Sequence, residues 1–325
     1  MADLELSSLT RIPKIELHAH LNGCVRLSHL QDLVEDSSTL PSRPGANATP
    51  RQYFQFMSAV GHVTGSSPHN LRVVLRRVLE DFEADGVVYL ELRSSPKHTG
   101  SMSKVEYVET ILETMCEYQG EMVVRYLVSV DQSKSLAEMN ENADLAIHYA
   151  ATSPLVVGLD LCGDFYSASK EHSMAVLQRC KNAGLKIACH IAEDPTTLDH
   201  TADMLRIIGP DRLGHATLIL PDSEDGKFVK ENNLLIECCM TSNILCRSVL
   251  KYEDHHFKKW YDLGHPVILC TDDSGTFDTS LSKEYQIAVK SFGMSRDDLK
   301  KMNFDCIRWI FDDDVKDRLY EIFKN

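Results

Sequence analysis

Eight times along this chain a short run rich in apolar and β-branched residues gives way to an amphipathic stretch, and this alternation limits the fold more than any other feature. The runs fall at residues 15–20, 87–92, 122–130, 155–161, 185–189, 212–214, 234–239 and 267–270. Helical periodicity lies between most of them, at 104–117, 136–150, 170–183, 198–208, 223–231 and 253–263. Strands alternating with helices imply a parallel sheet, and eight of them imply a closed (β/α)8 TIM barrel of the metal-dependent hydrolase type. Extra helical patterns at 27–34, 51–60 and 70–84 follow the first run, and residues 282–325 read as helices closing the outside. The stretch 37–50, rich in Pro, Ser, Gly and Asn, reads as a loop near a pocket mouth. One domain over residues 1–325 is therefore expected, with a helical insertion at about 27–85. A doubly wound open sheet fits less well, because no Gly-x-Gly-x-x-Gly follows any run and polar residues sit at the ends of many runs instead of at one switch point.

The ends of the runs carry the chemistry. The first delivers His18 and His20, which point to one face of a strand because side chains alternate with period two. The fourth ends in Asp160-Leu161-Cys162-Gly163-Asp164, the fifth in His190-Ile191-Ala192-Glu193 and the sixth in Gly214-His215. The seventh is followed by Thr241-Ser242-Asn243 and the eighth by Thr271-Asp272-Asp273. Taken singly, His190 reads as a hydrogen-bonded core histidine, Asp272-Asp273 as a turn or helix cap, and Glu193 as a solvated loop residue. Taken together they gather at one rim, where barrels of this kind build their active sites.

Three imidazoles and a carboxylate suit Zn²⁺, which accepts nitrogen and oxygen donors. A zinc-activated water needs a base for its proton and an acid for the electrophile, and His215 and Glu193 are the available candidates. A second metal would need a bridging ligand such as a carboxylated lysine at the end of the fourth run. Cys162 and Gly163 stand there, so one ion per subunit is expected.

Net charge of -14 and a pI near 5.4 argue against a nucleic-acid or anionic-membrane binder. No run of about 18 apolar residues suggests a membrane span. The acidic opening Met1-Ala2-Asp3-Leu4-Glu5 does not resemble a signal peptide. Most of the ten cysteines lie inside apolar runs, and no Cys-x-x-Cys occurs. A reduced cytosolic protein, working as a monomer on a small molecule, is the simplest expectation.

The set His-Ala-His-Leu-Asn-Gly, Asp-Leu-Cys-Gly-Asp, His-Ile-Ala-Glu, Arg-Leu-Gly-His and Cys-Thr-Asp-Asp, in this order over residues 11–325, resembles the adenosine/AMP deaminase family of zinc barrels. The resemblance implies zinc on His18, His20, His190 and Asp272. It implies Glu193 protonating purine N1, His215 orienting and deprotonating the water, Gly163 binding N3 through its backbone, and Asp273 holding N7. Neither His-x-Glu nor Pro-Cys-x-x-Cys of the cytidine-type zinc deaminases is present.

Asn22 is the informative departure, since adenosine deaminases carry Asp there, against the ribose 5′-hydroxyl. A carboxylate would repel a 5′-phosphate, whereas Asn can donate a hydrogen bond to it. Ser94-Ser95-Pro96-Lys97, past the second run, offers two hydroxyls and a cation, and His69 offers a further donor. The pattern is similar to the adenosine deaminase-like subgroup of N6-methyl-AMP deaminases, in which the residue matching Asp131 also contacts the nucleotide; His20 is carried over as a nucleotide contact too. The expectation is an enzyme that converts N6-methyl-AMP and water to IMP and methylamine. The alternatives are an adenosine or AMP deaminase releasing ammonia, and a metal-binding barrel without activity. The long N-terminal extension of the large AMP deaminases is not seen.

Overall fold

The computed structural model describes residues 5–45, 47–164, 167–195 and 198–324. Residues 1–4, most of the acidic opening, lie outside the described residues. Eight parallel strands run in the order β1 to β8: Lys14–His20, Val87–Ser94, Val123–Asp131, Val156–Cys162, Ile187–Ile191, Arg212–His215, Leu235–Cys238 and Val267–Leu269. The ring closes between the ends of β8 and β1. There His20 N–H donates to Asp272 O at 3.0 Å and Asp272 N–H to His18 O at 2.8 Å, around the parallel bridge Ala19–Asp272. The backbones that complete the barrel thus belong to residues singled out as metal ligands.

Barrel strands are covered on both faces, which is why they read as apolar runs. Five of them, β2 to β6, extend at their C-terminal ends beyond those runs, whereas β7 and β8 stop one residue short. The second was expected to stop at Leu92, yet Arg93 and Ser94 continue the ladder opposite Leu127 and Val128. Arg93 can do so because its charge is paired inside the barrel, with Asp160 at 2.8 Å and Glu237 at 3.0 Å. Arg212 pairs with Glu91 and, at 2.7 Å, with Glu237. All five side chains are fully buried, and burial of such charges is tolerable only in pairs.

Between β1 and β2 stand the helices Pro50–Thr64 and Pro68–Ala84, each opened by a proline behind a hydroxyl cap, Thr49 or Ser67. The pattern at 27–34 forms only a 3-10 turn, Leu27–His29. Arg77 donates to His29 O at 2.6 Å and clasps the Asp32 carboxylate, which ties this segment to the helix Pro68–Ala84. The helix expected at 198–208 divides into Leu198–Asp203 and a π-helical turn Met204–Ile208. The one at 253–263 begins later, at His256–Asp262. After β8, Leu281–Phe292, Arg296–Cys306 and Lys316–Lys324 pack outside the barrel, and Asn303 accepts from Ile15 N–H at 2.8 Å. No described helix is long and apolar enough to cross a membrane, and all ten cysteines are free.

Candidate active site

The rim residues converge on one cavity of about 390 Å³, within the usual range for small-molecule sites. Four donors meet at its floor: ligand atoms of His18, His20, His190 and Asp272 all lie within 4.8 Å of one another. His20 Nε2 is 3.3 Å from His18 Nε2 and 3.1 Å from His190 Nε2. Asp272 Oδ1 is 3.5 Å from both His18 Nε2 and His20 Nε2. A tetrahedron with metal–nitrogen bonds of about 2.0–2.1 Å has edges of roughly 3.3–3.4 Å, so these spacings fit a zinc-sized ion. The other ring nitrogens are occupied: His18 Nδ1 faces Glu237 Oε2 at 2.8 Å, and His190 Nδ1 donates to Leu161 O at 2.8 Å, with Asp160 at 3.2 Å. Both pairings turn Nε2 towards the ion position, as outer partners of metal-binding histidines do. Ser242 Oγ donates to Asp272 Oδ2 at 2.6 Å and leaves Oδ1 for the cluster.

Glu193 and His215 stand beside this cluster. His215 Nε2 lies 3.6 Å from Glu193 Oε2 and 3.8 Å from Asp272 Oδ2. Burial pushes Glu193 up to about 7, with His190 opposing and Asp272 and Asp160 adding to the rise. Burial also raises Asp273 well above the usual carboxylate range, helped by Asp272 and Glu193. Its Oδ1 is buried without a hydrogen-bond partner. A protonated carboxyl with a free oxygen is a donor awaiting an acceptor.

Three glycines make room for these groups. A Cβ on Gly23 would sit 1.6 Å from Asp273 Oδ1, and one on Gly163 (φ 99°) 2.0 Å from Asp131 Oδ1. Leu21–Cys24 is a helical turn, and the glycine is needed there for close approach. A Cβ on Gly61 would lie 2.5 Å from Lys97 Nζ and 3.3 Å from Asn22 Cγ. Asn22 and Lys97 therefore share one corner of the cavity. Asn22 Oδ1 is buried and unpartnered, and Lys97 makes no hydrogen bond or ion pair among the described residues. Burial lowers the Lys97 ammonium from its ordinary value, with Lys134 adding to the effect.

Of the residues selected from sequence, His20, Asn22, Ser94, Ser95, Lys97, Asp131, Gly163, His190, Glu193, His215, Asp272 and Asp273 line this cavity. Ser94 Oγ is tied to the Tyr126 hydroxyl at 2.9 Å, and Asp131 Oδ1 accepts from Ser133 N–H and Oγ. Three selections do not line it, one of them His18, which is fully buried within the donor cluster. Pro96 is buried but does not line the cavity, and His69 is exposed in the first turn of Pro68–Ala84. That helix buries Leu71, Val74 and Leu75, a phase that leaves His69 facing outward. Sequence reasoning missed Glu237, whose signal was a carboxylate in the middle of an otherwise apolar strand. It also missed the apolar side of the mouth, Tyr53, Phe54, Met57 and Phe277.

A family model described as adenosine deaminase matches residues 13–324. The chain is 38% identical to an N6-methyl-AMP deaminase of Danio rerio, over 95% of this chain and 93% of that one. Among solved structures, an Arabidopsis ADAL complexed with IMP superposes with a TM-score of 0.88 at 32% identity, covering 97% of each chain. An amidohydrolase of Burkholderia ambifaria with bound Zn shares the fold, with a TM-score of 0.84 at 19% identity over 100% of this chain and 93% of that one.

Proposed function

The chain belongs to the adenosine deaminase family, and from that premise we propose that it is a zinc-dependent hydrolase converting N6-methyl-AMP and water to IMP and methylamine. The observation that carries the substrate is the corner where neutral Asn22 lies beside Lys97, in the same cavity as the four-donor cluster. A 5′-phosphate would find a cation and an amide there. The name of the Danio rerio relative and the IMP in the Arabidopsis structure support the same substrate class.

Zinc held by His18, His20, His190 and Asp272 would make water acidic enough to act as a nucleophile near neutral pH. The protein's own groups do the rest. Glu193 hands its proton to N1 as water adds at C6, methylamine leaves with a proton, and the C6 carbonyl of IMP forms. His215 holds the attacking water beside Glu193. Protonated Asp273 donates to N7, and the Gly163 backbone serves N3. Ser94, Ser95 and Asp131 border the ribose and phosphate, and His20 borders the purine. The reading takes residues 1–325 as one catalytic unit, a cytosolic monomer with one zinc ion.

The test is competition among N6-methyl-AMP, AMP and adenosine, with methylamine and ammonia measured separately. Faster methylamine release from the methylated monophosphate is expected; a preference for adenosine over both monophosphates overturns the assignment. Gly61→Ala should push the Lys97 ammonium out of its corner, because the clash falls on the end of a flexible side chain. Loss of one charge-assisted contact predicts roughly a tenfold rise in KM for the monophosphate, with KM for adenosine unchanged. For the metal, elemental analysis should give one zinc per chain. Chelation should lower Tm by about 6 °C when zinc had stood at a thousand times its Kd, and zinc should restore it. Retention of full zinc by His20→Ala would contradict the ligand set.

A further inference from the structure

Behind His215 lies a chain of hydrogen bonds whose direction is set by a group that cannot reverse. Phe257 N–H donates to His255 Nδ1 at 3.1 Å, capping the helix His256–Asp262. A backbone amide only donates, so His255 Nδ1 carries no proton and a neutral ring carries it on Nε2. Burial, with His256 and His215 nearby, keeps His255 neutral by lowering it well below its ordinary value. His255 Nε2 lies 3.0 Å from Asn243 Oδ1, which accepts. The other end of that amide, Nδ2, then donates to His215 Nδ1 at 3.0 Å. His215 Nδ1 must be the unprotonated nitrogen, and the ring hydrogen sits on Nε2, facing Glu193 and Asp272. Turning the Asn243 amide over would set its N–H₂ against His255 Nε2–H. Switching the His255 tautomer would set two N–H groups against each other at Phe257. Every reversal ends at that backbone amide.

The adjacent His256 holds the same residue from its other side. Its Nε2 donates to His215 O at 2.7 Å, where the His215 backbone has the left-handed φ of 58°. Ring and backbone of His215 are thus fixed by two consecutive histidines, stacked with centroids 4.4 Å apart.

We propose that Asn243 and His255 are positioning residues that hold His215 as its Nε2–H tautomer, so that His215 serves the reaction as a hydrogen-bond donor to the attacking oxygen and not as its base. The inference rests on the deaminase reading for the reaction, but the tautomer itself does not. His215 keeps its proton as water adds at C6. The proton lost by water goes to Asp272, or to Glu193 once Glu193 has handed its own to N1, and departs with methylamine. This revises the role that the family resemblance implies for His215.

The test uses the zinc-loaded full chain with 15N-labelled imidazoles, the His215 signals being assigned with His215→Asn. Long-range 1H–15N spectra separate protonated from unprotonated ring nitrogens. Expected is a protonated Nε2 and an accepting Nδ1 in the parent. Asn243→Asp keeps the shape but replaces the donor by an acceptor, which demands a proton on His215 Nδ1. Its spectrum should show that proton, and kcat should fall by about 10²- to 10⁴-fold, as for other enforced wrong tautomers, with KM within threefold and one zinc retained. His255→Gln, which removes the backbone anchor, should show both tautomers and a smaller loss of kcat. A parent spectrum with Nδ1 protonated overturns the proposal, as does Asn243→Asp with an unchanged tautomer or a kcat within threefold of the parent. If Asn243→Asp fails to fold, the parent and His255→Gln spectra decide. If the parent releases no methylamine from N6-methyl-AMP, the functional reading falls while the spectra still decide the tautomer.

Discussion

Glu193→Gln is expected to lower kcat for N6-methyl-AMP by at least about a thousandfold while leaving zinc content and fold intact. A purine ring accepts water at C6 only if negative charge on N1 is relieved as the bond forms, and transfer of a proton in that transition state is worth about 10²–10⁴ in rate. Glu193 is equipped for this because burial has pushed it up to about 7, so it still holds a proton near neutral pH. Gln preserves the size and can hydrogen-bond to N1, but it has no proton to give, and a thousandfold loss corresponds to about 4 kcal/mol of transition-state stabilisation. The pH dependence carries the same signature. The competent form is the protonated one, so it is complete well below the raised pKa and is lost as pH rises through it. Parent kcat/KM should therefore fall above about pH 7, and that limb should be missing from the residual activity of the variant. The measurement is methylamine release from pH 5 to 9. Turnover by Glu193→Gln equal to that of the parent would remove Glu193 as the acid.

The legible parts of this protein were those in which a residue's position follows from its place along a strand. His18, His20, His190, His215 and Asp272 each follow an apolar run, and closure of the barrel brings such ends together whatever their separation in the chain. Glu237 and Arg93 were less legible because their partners lie across the barrel interior, on other strands. The signal was present all the same: a charge inside a strand buried on both faces has to be paired. His255 was illegible. It lies in a loop twelve residues beyond Asn243, and nothing in that spacing says that one hydrogen bond joins them. His69 failed for a different reason, since the phase of its helix is fixed by the apolar residues after it and not by the Ser-Pro start.

Asn22→Asp is expected to shift preference from N6-methyl-AMP towards the unphosphorylated nucleoside by about a thousandfold. The amide sits where the cavity has its unpaired cation: Asn22 Cγ and Lys97 Nζ both crowd the same face of Gly61, and Asn22 Oδ1 has no partner. A carboxylate there would act twice. It would stand about 4 Å from a bound 5′-phosphate, a repulsion of roughly 4 kcal/mol at an effective dielectric near 20, or about a thousandfold in binding. It would also offer Lys97 an internal partner and so neutralise the charge that attracts phosphate. Because the site is partly buried, salt should screen little of this effect. The change should appear in KM for the monophosphate with kcat nearly constant, since the phosphate is remote from C6 and binds equally in ground and transition states. Asn22→Ala separates the two contributions, for it removes the amide without adding charge and should cost only about tenfold. If Asn22→Asp raises KM for N6-methyl-AMP no more than Asn22→Ala does, the corner does not hold the phosphate, and selectivity for a monophosphate must come from elsewhere in the cavity.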